Sequence, residues 1–346
     1  MAFTTVNKST DFFKTVLYTG DASVKSITDL SFTPGLVWIK GGTQDHVWTD
    51  QVRGATKYIR SNTTNTEATV SGVTSFNSDG FTLGSANETN ESGVEFYGWN
   101  WKANGQGSSN TDGTINTLYT SASTTSGFSI NTYTGTGSNA TVGHGLGVAP
   151  EVVMVKNLDN TRDWAIYHKY TTQDGTGAQY YLHLNNTDPR SSSSTFWQDA
   201  APNSTVFSIG TSTGVNTSSE NYVAYCFAPV QGFSKFGYYN GTGNLATAPF
   251  IYTGFTPAYF LIKMVNGSDS WFIYDNARSP FNVRGKYLVA DGSGTNSNAD
   301  FCDFLSNGIK IRTTASALNG NGTEFIYMAF ASSPLVGSND IPGNAK

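Results

Sequence analysis

One phrase is written three times in this chain. Pro34-Gly-Leu-Val-Trp-Ile-Lys40 is followed eight residues later by Trp48, Pro150-Glu-Val-Val-Met-Val-Lys156 by Trp164 and Pro257-Ala-Tyr-Phe-Leu-Ile-Lys263 by Trp271. The prolines lie 116 and 107 residues apart, which is the length of a domain and not of a solenoid unit. The chain therefore reads as an array of three long copies. An array points to a structural or adhesive role before it points to an enzyme.

The composition says what each copy is made of. Charged residues are only 13% of the 346, while aromatics reach 14% and glycines number 37. Aromatic and β-branched runs broken by Gly, Asn, Ser and Thr describe short strands joined by turns. No long stretch shows helical spacing, so the expected class is all-β. The net charge of −5 comes from scattered groups and draws no phosphate backbone, which argues against nucleic acid. No apolar run is long enough for a membrane helix, and the N-terminus lacks the pattern of a secretory signal. Cys226 sits in an apolar strand and Cys302 in Asp300-Phe-Cys-Asp-Phe304, in different copies, and they read as buried or half-buried free thiols.

Within each copy five strand segments recur, one of them a later segment over 75–84, 207–210 and 304–311. The first ends in a turn: Tyr18-Thr-Gly20, Tyr133-Thr-Gly135, Tyr239-Asn-Gly241. The proline strand follows, apolar on both parities, and so covered on both faces. Pro34, Pro150 and Pro257 fit the first residue of such a strand. The tryptophan strand comes next, with Trp48, Trp164 and Trp271 as buried anchors. Asp50 and Arg53 share their spacing with Asp275 and Arg278; the second copy has His168 and Lys169 nearby instead. In the closing strand one parity is large in every copy: Tyr97, Trp99, Trp101; Val223, Tyr225, Phe227; Ile326, Met328, Phe330. That parity is expected to face the core of a sandwich, and the smaller one to face outward or a neighbouring copy.

The boundaries drawn are an N-terminal arm over 1–11, β-sandwich repeats over 12–103, 127–230 and 231–333, a Gly-Ser-Asn-Thr linker over 104–126, and a tail over 334–346. The fold expected is three tandem antiparallel β-sandwiches, with the second and third packed as one body.

Chemistry is harder to find. His46, His144, His168 and His183 show no metal-site spacing. Gly210-Thr-Ser212-Thr-Gly214 has the letters of a nucleophile elbow but no helix pattern after it. Glu91 and Glu95, four residues apart on a strand, would stand ~13 Å apart, too far for a glycosidase pair. Asp291 to Asp300 is rich in oxygen ligands but lacks calcium-loop spacing. Asn-x-Ser/Thr sites such as Asn62, Asn87, Asn139 and Asn203 follow from the composition. No catalytic residue, cofactor or metal is expected. Trp197, without a counterpart in the other copies, and His168 are the candidate surface recognition residues. Recognition is expected where the copies differ: around His168, Trp197 and Asp291, and in the arms.

The chain resembles a family of virion-associated proteins of marine bacteriophages, of the cyanophage and pelagiphage type. The resemblance rests on Met1-Ala-Phe-Thr-Thr-Val-Asn-Lys-Ser-Thr10, Asp50-Gln-Val-Arg-Gly54, Ser75-Phe-Asn-Ser-Asp-Gly-Phe81, Val142-Gly-His-Gly-Leu-Gly147, Glu220-Asn-Tyr-Val-Ala-Tyr-Cys226, Gly232-Phe-Ser-Lys-Phe-Gly237 and Leu335-Val-Gly-Ser-Asn339. It implies a jelly-roll or lectin-like form for the repeats and a place on the head or tail surface. The function expected is a non-enzymatic virion structural protein: a fibre, knob or decoration, made in the host cytoplasm. Its partners would be other virion proteins and, by analogy, its own copies in a trimer. The alternatives are a lectin-like receptor-binding protein contacting host surface glycans and a polysaccharide-depolymerising glycosidase.

Overall fold

The computed structural model describes residues 4–336. Met1 to Phe3 and the tail beyond Val336, including most of 334–346, lie outside the described residues. The fold is all-β, built from antiparallel sheets, with three α-helices of one turn each among the described residues.

Four strands recur in one order. Opening strands Phe13–Thr19, Phe128–Thr134 and Ser234–Asn240 pair with closing strands Glu95–Trp101, Asn221–Phe227 and Glu324–Pro334. Each closing strand pairs on its other edge with a proline strand: Leu36–Gly41, Val152–Asn157 or Phe255–Met264. Each proline strand then pairs with a tryptophan strand: Val47–Asp50, Ala165–His168 or Phe272–Asp275. Every residue of the proline strands is buried, as their two-sided apolar pattern requires. Pro34 and Pro150 precede their strands, whereas Pro257 lies inside its strand at a break in register, where a missing N–H is tolerated.

The first turn is a clamp. Tyr18, Tyr133 and Tyr239 each donate a hydroxyl hydrogen bond to the main chain of the segment before the closing strand, at Thr89, Val215 and Leu318. A side chain at Gly20, Gly135 or Gly241 would collide with a backbone carbonyl of that segment, so the close approach requires glycine. Asn90, Asn216 and Asn319 complete it. Their Oδ1 atoms accept from Asp21 N, Thr136 N and Thr242 N, and their amides donate to the carbonyls of Gly84, Gly210 and Thr313. Each sits seven residues before Tyr97, Val223 or Ile326, a fixed offset that the sequence reading overlooked.

The two faces are assigned opposite to expectation. The large parity of the closing strands does not face a private core. It joins one apolar cluster common to all three copies. Trp101, Phe227 and Phe330, equivalent by strand register, meet in a triangle with ring centroids 6.3, 5.9 and 5.6 Å apart. The smaller parity faces the copy's own second sheet, as Phe96 does in the first copy and Tyr222, Ala224 and Cys226 do in the second. Period-two alternation marks two faces, but it cannot say which is the shared one when both are buried.

Two boundary expectations change. Residues 104–126 are not a free linker. Tyr119–Ser123 adds a strand to the edge of the second copy's sheet, and Ile115 is buried and bridges to Val142. The few apolar residues that interrupt this polar segment are among those that tie it down. The N-terminal arm is held as well, since Val6 is buried in the shared core and Phe12, the first residue after the arm, packs on Phe233.

Candidate functional site

The three copies meet at three seams, and the same contacts close all of them. Lys156 Nζ, from the second copy, donates to Thr64 O of the first at 3.2 Å. Lys263 Nζ, from the third, donates to Thr187 O of the second at 2.9 Å. Lys40 Nζ, from the first, donates to Ser293 O of the third at 3.2 Å. The contact therefore runs in a cycle. All three lysines are fully buried, and burial lowers each ammonium to about 8. The carbonyl partners work in the other direction, because they bond the charged form.

The residue facing each lysine across the hairpin repeats the cycle. Trp164 Nε1 donates to Arg60 O at 2.7 Å and Trp271 Nε1 to His183 O at 2.8 Å. In the first copy the equivalent residue is His46 and not Trp48. The last register pairs are Ile39 with Val47, Val155 with Ala165 and Ile262 with Phe272. One step further, Lys40 faces His46, Lys156 faces Trp164 and Lys263 faces Trp271. The first hairpin is two residues shorter, so an unchanged offset from Lys to Trp carries Trp48 two places into its strand. Trp48 is still buried, against Trp164 and Tyr225. His46 Nδ1 accepts from Trp38 Nε1 at 2.8 Å, so Nε2 carries the hydrogen and donates to Val289 O at 3.0 Å. Burial, and then the charge of Lys40, hold this imidazole neutral, well below its ordinary range.

A third set of seam contacts uses Asp50, His168 and Asp275, which pair with Leu36, Val152 and Tyr259 and so are equivalent. Asp50 accepts from Tyr225 OH at 2.7 Å, and Asp275 from Trp99 Nε1 at 3.0 Å. Each carboxylate is also paired, fully buried, with an arginine three residues on: Arg53 at 2.6 Å and Arg278 at 2.5 Å. At the remaining seam the closing strand offers Met328, which has no comparable donor. There His168 donates Nε2–H to Tyr327 O at 3.2 Å, with Nδ1 accepting from Tyr170 N. Burial pulls its imidazole down to about 4.

His168 is thus a seam residue and not a surface recognition residue. Trp197 is also not on the surface: it is 2% exposed, at the end of the one-turn helix Ser194–Trp197, packed edge-on to Tyr167 in the second copy's own core. Its size required a cavity, and the second copy supplies one. Asp291 accepts from Trp271 N at 2.8 Å, as Asn185 does from Trp164 N and Asn62 from His46 N. It is a strand-end clamp, and burial raises its carboxyl above the ordinary range. Among the described residues no group of three or more metal-ligating side chains gathers. Ser212 lies in a turn, accepting from Gly214 N. Glu91 lies outside the closing strand that begins at Glu95 and is bonded by Gln44. Cys226 and Cys302 are buried free thiols, both raised by burial.

What the seams leave open are grooves. The one between the first and second copies has a volume of about 450 Å³ and is lined by Lys57, Glu67, Tyr119, Asp159 and Asn221 over Arg53. Its counterpart between the third and first copies is about 290 Å³, lined by Glu95, Tyr97, Lys286, Asn296 and Asn298. At the seam between the second and third copies Arg190 is ion-paired with Glu324 instead. Of these groove residues the sequence draws attention, as possible sites, only to Glu95, weighed as a glycosidase carboxylate, and to Asn296 and Asn298, within the oxygen-rich run from Asp291 to Asp300. Glu67 and Asn296 are brought in by Arg53 and Arg278, to which they bond at 3.1 and 2.9 Å.

Among the described residues no helix is long and apolar enough to cross a membrane. A comparison with curated proteins finds no match. One family profile covers nearly the whole chain, residues 8–334, and spans all three seams. The chain belongs to that family, described as a domain of unknown function, DUF7483.

Proposed function

We propose that this chain is a non-enzymatic structural protein of a bacteriophage virion, a fibre, knob or decoration of head or tail. The observation that carries the reading is the closed cycle of seams. Buried ionisable groups that in an enzyme would be candidates for chemistry are spent here largely on joining copies: three lysines on carbonyls, His46 and His168 on carbonyls, two Asp–Arg pairs on neighbouring strands, while His144 and Arg284 bond to carbonyls of their own copies. Perturbed groups in a cleft suggest catalysis only when they remain free to exchange protons with a ligand.

On this reading each copy is a β-sandwich of the jelly-roll or lectin-like kind. Its large sheet turns one face to the shared core and the other to a smaller set of strands, such as Lys25–Ile27, Val73–Asn77 and Gly80–Leu83 in the first copy. The three-way packing that a trimer would supply is contained in one chain, so contacts with other virion proteins and between protomers use the outer surface. The chain acts at the virion surface after synthesis in the host cytoplasm. The test is antibody labelling of intact particles by electron microscopy, with a cryo-electron-microscopy map to place the density. Label on particles, with density for a three-lobed ring, is expected. Label found only in the host lysate and never on purified particles overturns the reading.

A further inference from the structure

We propose that the groove between the first and second copies binds a neutral saccharide. This goes beyond the structural role and does not depend on where the chain resides.

The groove carries four charged side chains, Arg53, Lys57, Glu67 and Asp159, two of each sign. A balanced lining offers no net attraction to a phosphate, a sulfate or a cation. It does offer both halves of what a hydroxyl needs, an acceptor for its hydrogen and a donor for its oxygen. Those groups are held in place. Glu67 is fixed by Arg53 Nη1 at 3.1 Å and Lys57 Nζ at 3.2 Å. Asp159 Oδ2 accepts from Asn221 N at 2.7 Å and Asn221 Nδ2 at 3.0 Å, while Asn221 Oδ1 accepts from Thr134 Oγ1 at 3.0 Å. A preorganised polar set binds with little ordering cost. An apolar wall completes the site: Tyr119 is half-buried and Leu118 is 67% exposed at its rim. A ring and an aliphatic side chain beside fixed amide and carboxylate groups match a pyranose, which has an apolar C–H face and a hydroxyl edge.

The other seams show that the opening is not a necessary product of ring closure. Glu67 N donates to Leu158 O at 2.9 Å, and at the next seam Arg190 N donates to Val265 O at 2.9 Å, in the same backbone arrangement. There the side chain is an arginine paired with Glu324 across the seam. The same main-chain contact is thus compatible with either an open or a bridged groove, and side-chain choice decides which.

The test uses the full chain and a panel of neutral oligosaccharides (oligomers of glucose, mannose, galactose and N-acetylglucosamine) beside sialylated and sulfated ones, read by titration calorimetry and saturation-transfer NMR. At least one neutral oligosaccharide is expected to bind. Tyr119→Ala and Asp159→Ala should each weaken that binding tenfold or more while leaving the thermal midpoint close to the parent's. Lys57→Ala and Leu118→Ala, at exposed positions, supply the same readout if either of the first variants unfolds. The proposal fails if no neutral saccharide binds, if only anionic ones do, or if binding survives all of these substitutions unchanged.

Discussion

Lys156→Met removes one of the three ammonium groups buried at the seams, and its effect on stability should depend on pH. Lys156 is fully buried and donates to Thr64 O and Asn157 O. Burial lowers it from 10.5 to about 8, against the pull of Asp163. Below pH 8 the native and unfolded chains both hold the proton. Between about 8 and 10.5 the unfolded chain holds it and the native chain does not, so this group adds native stability as pH rises. At ~1.4 kcal/mol for each pH unit, the whole interval is worth about 3 kcal/mol. Methionine has no such proton. The stability of the parent minus that of the variant should therefore be flat near neutral pH and climb by up to about 3 kcal/mol by about pH 10.5. Buried thiols and tyrosines, raised by burial, pull the other way above pH 9 or so, but both proteins carry them and the difference cancels them. Urea unfolding of both proteins across this range, with slopes compared to verify a common transition, reads the difference directly. A difference that stays constant with pH would refute the reasoning, and would mean that the two carbonyls hold the ammonium as strongly as water does.

Trp197→Ala empties a core site and should cost roughly 3–5 kcal/mol in urea unfolding; a loss near zero would return that residue to the surface. His168→Asp puts a carboxylate opposite Tyr327 O, with Thr171 where the other copies have arginine, and should cost about 3–5 kcal/mol at pH 7. Adding Thr171→Arg and Met328→Tyr should recover part of that loss, as measured by a mutant cycle. Asn216→Ala leaves Thr136 N and the carbonyls of Gly210 and Ser138 without their partner and should cost roughly 2–4 kcal/mol, with faster hydrogen exchange at the second copy's first turn.

Much of the fold is legible in the chain because its constraints are local. Strand and turn chemistry give the all-β class. The Tyr-x-Gly turns announce a close approach, and the two-sided apolar runs announce burial on both faces. What escapes is whatever depends on register or on a neighbour. The offset from Lys to Trp is constant across the copies, yet the first hairpin is two residues shorter, so the constant offset aligns Trp48 with the wrong partners and hides His46. The alternation in the closing strand is plain, but which face meets the other copies is a property of the ring. Trp197 looks unattached because the ring it packs against, Tyr167, lies 30 residues before it in sequence. The groove escapes for the same reason: Glu67 and Asp159 belong to different copies, and only the seam brings them together.

The residues that close the ring and those that line the grooves are not separate sets. Arg53 fills its valences with Asp50 and Trp48 O on the core side and with Glu67 on the groove side. Arg278 does the same with Asp275, Ile273 O and Asn296. Each arginine therefore converts the requirement of a buried carboxylate for a counter-charge into a fixed polar group at the groove wall. Where the closing strand supplies Met328, no donor faces the seam, no carboxylate is placed opposite it, and no arginine is required. The wall then lacks its anchored acceptor, and Arg190 bridges the two copies from the groove side instead. A single difference on one closing strand, Met328 against Trp99 and Tyr225, is thus sufficient to account for why two seams carry a buried Asp–Arg pair behind the groove wall and the third carries the Arg190–Glu324 pair instead.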